Sequence, residues 1–198
     1  VYLLDQHPAY QQRFRTLYKH VAEDDLSALL HKLFEADWDE LEGQWQLFTV
    51  GIEYGYDIRR NVLDFTPGKP LPPEGAAASV AADRGWQNTG LRLESGIRYR
   101  LRASGRYQVA QRGGIWWSEP NGVSIRYYQG RPLGVLLAAV RPDRPPRDGA
   151  SALLEPVVVG LQSVIAPEHS GTLFLRINDS PAELHDNAGQ LQVEVRRQ

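Results

Sequence analysis

The chain has 198 residues and a mass of 22.3 kDa, a length that suits one large domain or one domain with a small appendage. Hydrophobic residues make up 42% and charged residues 23%, which is typical of a globular protein and excludes a disordered, collagen-like or simple coiled-coil chain. The net charge of −2 argues against nucleic acid as a partner, and no apolar run approaches the roughly 20 residues that membrane insertion requires.

The sequence contains neither cysteine nor methionine. Without cysteine the chain has no disulfides, thiolate metal ligands or cysteine nucleophiles, but this does not indicate a cellular compartment. Because methionine is missing even at position 1, we expect Val1 to be an internal position of a longer polypeptide.

Residues 1–60 are predicted to form a small helical subdomain with three short helices. Pro8 suits the first position of the first helix, and the second begins after Asp24 or Asp25. Asp37, with Glu40 three residues later, makes a capping-box-like start for the third. Each helix carries an apolar stripe at steps of three and four residues, which predicts one packing face. The stripes are Tyr10, Phe14, Leu17, Tyr18 and Val21, then Leu26, Leu29, Leu30, Leu33 and Phe34, then Trp38, Leu41, Trp45, Phe48 and Ile52.

Residues 61–84 are predicted to be a linker rich in proline and alanine. Four prolines lie between positions 67 and 73, and three alanines follow at 76–78. Because proline lacks a main-chain donor and fixes φ, we expect this stretch to be neither a strand nor a stable helix.

Residues 85–198 are predicted to form an antiparallel β-sandwich, so the expected fold class is mainly β with a preceding α-helical subdomain. At 97–103 apolar residues alternate with three arginines, as in a half-buried strand. About eight strand candidates are separated by short turns, which favours two antiparallel sheets over a βαβ fold. The other candidates are 89–93, 106–111, 123–128, 133–140, a stretch within 157–165, 172–177 and 190–195.

The loop at 178–189, between the last two strands, concentrates oxygen donors. Asp179 and Asp186 supply carboxylates, and Asn187 supplies an amide oxygen. Calcium takes about six to eight oxygen ligands and accepts mixed carboxylate, amide and main-chain donors, so the loop suits this ion. In the alternative interpretation the same residues cap main-chain groups in an ordinary polar loop.

Several motifs in this part of the chain are similar to those of a known family. They are AP at 166–167, SGTLFLRIND at 170–179, Pro181, DN at 186–187, RLRASG at 100–105 and GVLL at 134–137. They resemble segments of the soluble bacterial galactose-binding lectins, and the similarity covers roughly residues 85–198. The resemblance implies a galactose-binding-domain-like jelly roll in which one calcium ion bridges the protein and the sugar. It implies as ligands the side chains of Asp179, Asp186 and Asn187 and the main-chain carbonyls of Glu183 and Val109.

The predicted sugar-contacting segment departs from that family. At 113–121 the sequence GGIWWSEPN has neither the histidine nor the glutamine that contact the sugar in those lectins, so galactose specificity does not carry over. Trp116 and Trp117 offer indole faces on which a pyranose can stack, and His185 is a candidate donor to a sugar hydroxyl. In the alternative interpretation one indole fills the core and the other lies on the surface.

Two functions therefore stay open. The first is a noncatalytic carbohydrate-binding, lectin-like module, dependent on calcium and belonging to a larger protein. The second is a structural or protein-interaction domain that contacts other domains of the parent and binds no sugar. The segment WDELEGQW at 38–45 is faintly similar to the end of a metallopeptidase-like catalytic domain, although the common catalytic motifs are missing and we expect no enzymatic activity. Calcium is plentiful outside the cytoplasm, so we expect a secreted or periplasmic protein.

Overall fold

The computed structural model describes residues 1–21, 25–144 and 149–198. Among these residues, the N-terminal part contains four α-helices. They are α1 (Tyr2–Gln6), α2 (Gln11–Thr16), α3 (Leu26–Leu33) and α4 (Trp38–Gly51), with short 3-10 helices at Leu17–His20, Glu35–Asp37 and Ile58–Asn61. No helix of the described ranges is long and apolar enough to cross a membrane.

The first predicted helix is wrong at its start. The chain already forms α1 before it, and Pro8 lies in the turn between α1 and α2. His7 adopts an extended conformation with ψ of 124°. The residue before a proline is disfavoured in the helical region, so His7 ends one helix and the next begins only after the turn.

The starts of α3 and α4 differ in their capping. The side chain of Asp25 accepts a hydrogen bond from the Ala28 amide at 2.8 Å, which confirms a helix start at Asp25, whereas Asp24 lies outside the described residues. Asp37 precedes α4 as expected, but its side chain does not cap the helix. It forms an ion pair with Arg13 at 2.6 Å instead, so the predicted capping box is wrong.

The predicted packing face of α4 is also wrong in part. Trp38, Trp45 and Ile52 are exposed, whereas Gln44 and Phe48 are buried. The Gln44 amide donates to the main-chain oxygen of residue 61, and its oxygen accepts from the amide of residue 63, both at 3.0 Å. These partners satisfy a polar side chain in the core, so the buried face is rotated from the apolar stripe.

The described residues form twelve strands, and the molecule is mainly β. The largest of the three sheets has six strands. Five follow the order β1-β3-β11-β8-β7, the sixth, β9, also pairs with β8, and β1 is parallel to β3. The second has the order β10-β4-β12-β2, and β5 pairs with β6. The bounds are β1 Lys69–Pro70, β2 Ala76–Ala81, β3 Gln87–Leu93, β4 Tyr99–Ser104, β5 Tyr107–Gln111, β6 Ile115–Ser118, β7 Asn121–Tyr128, β8 Arg131–Pro142, β9 Val157–Val158, β10 Gln162–Ile165, β11 Gly171–Ile177 and β12 Gln190–Arg197.

All eight predicted strand regions contain strands, but the prediction that 61–84 forms no strand is wrong, since the short β1 and the longer β2 both lie there. Residues Ala76–Ala81 form β2, which pairs antiparallel with β12. Ala78 and Val80 of this strand are buried. The four prolines come before β2, so its own amides are free to pair, and small residues fit the alternation of a sheet edge. The domain boundaries themselves stay a prediction.

The six-stranded sheet is covered on both faces. One face packs against the four-stranded sheet around a core that includes Leu101, Leu136, Leu173, Leu175 and Val193. The other face packs under the helical part around a second core that includes Leu47, Leu63, Trp86, Leu137 and Phe174. The central strands β8 and β11 therefore contribute alternate residues to two cores. The jelly-roll connectivity implied by the family resemblance stays a prediction.

Candidate functional site

The loop at 178–189 leaves the six-stranded sheet and enters the four-stranded sheet, and both of its ends are anchored. At the start, the buried Asn178 amide donates to three main-chain oxygens of the β7–β8 hairpin at 3.0 to 3.1 Å. At the end, Ala188 and Gln108 exchange main-chain hydrogen bonds of 2.9 and 3.2 Å. The loop is thereby held against β5, which carries Val109.

Asp179 is the most buried carboxyl of this loop, with 2% of its surface exposed. Its Oδ1 accepts from the Ser180 amide at 2.7 Å, and its Oδ2 accepts from Nδ2 of Asn187 at 2.8 Å. Burial raises the pKa of Asp179 to about 6, although these hydrogen bonds act in the opposite direction. The site therefore contains a carboxylate whose charge is incompletely compensated by its neighbours.

Besides Oδ1 of Asn178 and Oε2 of Glu183, the latter in an ion pair with Arg126, two side-chain oxygens in the loop are buried without a hydrogen bond to the described residues. One is Oδ1 of Asp186, whose Oδ2 accepts from the Gln111 amide at 3.0 Å. The other is Oδ1 of Asn187, whose Nδ2 donates to Asp179 and to the main-chain oxygen of residue 82. Unpartnered buried oxygens are uncommon in native proteins and indicate an additional partner such as an ion or water.

Val109 lies beside this loop at an irregularity of the small sheet. The register of β5 with β6 shifts between Gln108 and Ala110, so Val109 has no partner residue on β6. The Val109 side chain is buried in the core between the sheets. A bulge of this kind redirects one main-chain carbonyl from the ladder, so its position is compatible with the ligand role that the resemblance implies.

Glu183 uses its side chain in a way that sequence reasoning missed. The carboxylate forms ion pairs with Arg112, which follows β5, and with Arg126 of β7, the latter at 2.6 Å. Its main-chain carbonyl accepts a long 3.4 Å hydrogen bond from the Asp186 amide, within the turn that leads into a short 3-10 helix. The carbonyl as a ligand stays a prediction, whereas the carboxylate connects the loop to two neighbouring segments.

A cation at this loop would need donors of mixed chemistry. Within the described part of the chain, no group of three or more His, Asp or Glu side chains is arranged to hold a metal. Asp179 and Asp186 supply two carboxylates, and the remaining donors would be the Asn187 amide oxygen and main-chain carbonyls. Calcium accepts such a set, whereas zinc favours nitrogen and sulfur ligands. The buried unpartnered oxygens of Asp186 and Asn187 fit calcium in this respect.

The two tryptophans of β6 face in different directions. Trp116 packs against the core between the sheets, and Trp117 is 46% exposed with the Arg106 guanidinium 5.0 Å from its ring centroid. His185 is exposed in the 3-10 helix of the loop. Of the three predicted sugar-contacting residues, Trp117 and His185 are therefore the accessible ones, and their role in binding sugar stays a prediction.

The helical part also contacts the loop, which sequence reasoning did not anticipate. The Ser180 hydroxyl donates to Oε2 of Glu53, just after α4, at 2.9 Å. The Asn61 amide donates to the main-chain oxygen of Pro181 at 3.2 Å. No local pattern in the sequence marks these partners, because they meet only when the helices dock on the sheet.

Comparisons with known proteins give structural similarities only. No family model and no curated protein sequence matches the chain. The N-terminal domain of EclA, described as a PllA-like lectin, is similar with a TM-score of 0.45 and 25% identity, over 62% of this chain and 95% of that one. The IMPa metallopeptidase, solved in complex with T-antigen, has a TM-score of 0.34 and 11% identity, over 68% of this chain and 14% of that one. PliG of Aeromonas hydrophila, a periplasmic inhibitor of g-type lysozyme, has a TM-score of 0.33 and 12% identity, over 65% of this chain and 94% of that one. Because all three TM-scores are below 0.5, these similarities do not by themselves identify a function.

Proposed function

We propose that the chain is a noncatalytic, lectin-like carbohydrate-binding module and that calcium bound at the loop 178–189 assists sugar binding. The observation that carries the proposal is the set of oxygens at Asp179, Asp186 and Asn187. One is a buried carboxylate with a raised pKa, and the other two residues each leave a buried oxygen unpartnered. The family resemblance implies these same three side chains as ligands.

In this proposal, different residues of the chain would bind the cation and contact the sugar. Asp179 and Asp186 would hold a divalent cation, which would supply an electrostatic anchor for sugar hydroxyls. Trp117 offers an exposed apolar ring one strand away from the loop, because it pairs with Gln108, which in turn bridges Ala188. Arg106 lies over one face of this ring, so a pyranose would stack on the other face. His185 is exposed on the loop 178–189 and would donate a hydrogen bond to a sugar hydroxyl.

Calorimetry of calcium binding tests the first half of the proposal. Chelator-stripped protein is expected to bind one calcium ion, and an Asp179→Asn, Asp186→Asn double variant to bind none. Glu168→Gln is the matched control, because it removes an exposed carboxylate outside the loop and should leave binding unchanged. Absence of a saturable heat in the wild type at millimolar calcium would overturn the calcium site.

A glycan array with and without calcium tests the second half. Binding of at least one glycan is expected in calcium and is expected to be lost in EDTA. Trp117→Ala should reduce that binding at least tenfold, which is the order of magnitude for removing an aromatic stacking partner. Trp45→Ala is the control, because Trp45 is similarly exposed at 48% but lies on α4. Equal losses in both variants would show that the effect is not specific to β6.

A second candidate function has one observation in its favour. The loop is already held by protein contacts, since Glu183 pairs with Arg112 and Arg126 and Ser180 bonds to Glu53. A loop anchored in this way suits a structural or interaction domain of a larger, metallopeptidase-like protein that binds no sugar. Calcium that raises the melting temperature without any glycan binding on the array would favour this second function.

A further inference from the structure

A separate cavity lies between α4 and the outer face of the six-stranded sheet. Its volume is about 50 Å³. Apolar side chains of α4, of β8 and of the 3-10 helix Ala152–Leu154 form much of its wall, and Pro181 closes one side. Tyr56, Tyr128, Trp86 and Arg176 add polar groups to this wall.

Arg176 brings a positive charge to this cavity. Its Nη2 donates to the main-chain oxygen of Asp179 at 2.8 Å, and its guanidinium lies 5.5 Å from the centroid of the Trp86 ring. Its Nε is buried and makes no hydrogen bond. In the described part of the chain Arg176 has no ion pair within 4.0 Å, and the Asp179 carboxyl is engaged by Ser180 and Asn187 instead. The Asp179 carboxylate acts on this guanidinium only at longer range. Burying a guanidinium without a direct ion pair is costly, so a further anionic partner would stabilise Arg176.

Trp86 adds a second unpartnered donor. The residue is 5% exposed, and its Nε1 is buried without a hydrogen-bond acceptor. The wall of the cavity also contains two tyrosines and the neutral amides of Asn61 and Gln129, but no aspartate or glutamate. Water can accept hydrogen bonds from these donors but cannot neutralise the arginine, whereas an anion does both.

We infer that this cavity is a binding site for a small oxyanion, held by Arg176 and Trp86. A single water molecule needs about 10 to 15 Å³ of cavity volume, so this cavity of about 50 Å³ has room for a group of a few heavy atoms. The carboxylate of a short acid and an inorganic oxyanion share the required chemistry. The apolar part of the wall, from α4 and the 3-10 helix, would contact the alkyl end of a short acid.

Thermal unfolding of the full chain in EDTA tests this site independently of calcium and sugar. One arm titrates formate, acetate and propionate, and the other titrates phosphate and sulfate, with sodium chloride holding the ionic strength constant. For a ligand of about four heavy atoms we expect a Kd no tighter than about 50 μM. A rise in Tm of about 5 °C is expected at a hundredfold excess over Kd, and above Kd the Tm should increase with the logarithm of the anion concentration. The arm that gives this rise identifies the source of the oxyanion.

Three variants make the test specific. Arg176→Gln should abolish the rise in Tm, and Trp86→Phe, which keeps an aromatic ring but removes the N–H, should weaken binding about tenfold. Arg141→Gln is the control, because Arg141 also lies over an aromatic ring, that of Phe65, but does not line the cavity. If Arg176→Gln fails to fold, Trp86→Phe still tests the site. A rise of equal size in all variants, or none with either class of anion, would overturn the inference.

Discussion

Replacing Asp179 with asparagine should stabilise the protein in the absence of calcium. Burial raises the pKa of Asp179 from its ordinary 3.8 to about 6, so the ionised form is disfavoured in the folded state. A tenfold change in an equilibrium constant corresponds to about 1.4 kcal/mol, and the difference therefore amounts to about 3 kcal/mol at neutral pH. An amide carries no charge to bury. We expect Asp179→Asn to gain about 1 to 3 kcal/mol, because the amide matches the two N–H donors less well than the carboxylate does.

The gain should depend on pH in a defined direction. A pKa that rises on folding contributes stability below pH 3.8, and this stability is lost as the pH rises through about 6. Urea denaturation in EDTA should therefore show the variant to be more stable at pH 8 and nearly equal to the wild type at pH 4. Glu168→Gln, which alters an exposed carboxylate, should differ from the wild type by less than about 0.5 kcal/mol at both values. A loss of stability in Asp179→Asn that is the same at pH 8 and pH 4 would refute this reasoning.

In the presence of calcium, the wild type should be more stable than Asp179→Asn. A cation that binds only the folded wild type stabilises it by mass action, and the variant lacks the carboxylate that this requires. Because binding needs an ionised Asp179, the calcium Kd should rise about tenfold between pH 7 and pH 5. Calorimetry at the two pH values measures this change, and a Kd independent of pH would show that Asp179 is not a ligand.

Three substitutions elsewhere test how the fold positions the site. Asn178→Ala removes an amide that donates to three main-chain oxygens and should cost about 2 to 4 kcal/mol in urea denaturation. Gln44→Leu leaves two main-chain groups beside α4 unpaired and should cost about 2 to 3 kcal/mol in the same assay, with a loss under about 0.5 kcal/mol contradicting the role of the amide. Gly134→Ala places a Cβ 2.4 Å from Oγ of Ser118 at a φ of +82°, so calorimetric melting should show a lower Tm by at least about 3 °C.

The strands were predictable because their pattern is local. In β4, buried Tyr99, Leu101 and Ala103 alternate with arginines, and this period of two needs no knowledge of the partner strand. The face of α4 was not predictable in the same way. Gln44 is polar yet buried, because its partners come from the segment that follows the helix. An apolar stripe is therefore insufficient evidence where a polar side chain bridges main-chain groups.

The grouping of oxygen-bearing side chains in one loop was predictable, whereas their surroundings were not. The residue types of Asp179, Asp186 and Asn187 in one loop indicate oxygen ligands directly from the sequence. The two arginines at Glu183 come from segments 57 and 71 positions away, so their approach depends on how β5, β6 and β7 fold beside the loop. Long-range charge pairs of this kind leave no signal in spacing along the chain.

The sheet with two buried faces restricts how this chain can be shortened. Leu137 and Phe174 of the sheet share a core with Leu47 of α4, and Leu63 and Trp86 lie in the same cluster. A fragment that keeps only the strands would expose this apolar face to water. The smallest part of the chain that keeps both cores covered therefore includes the last helix as well as the strands.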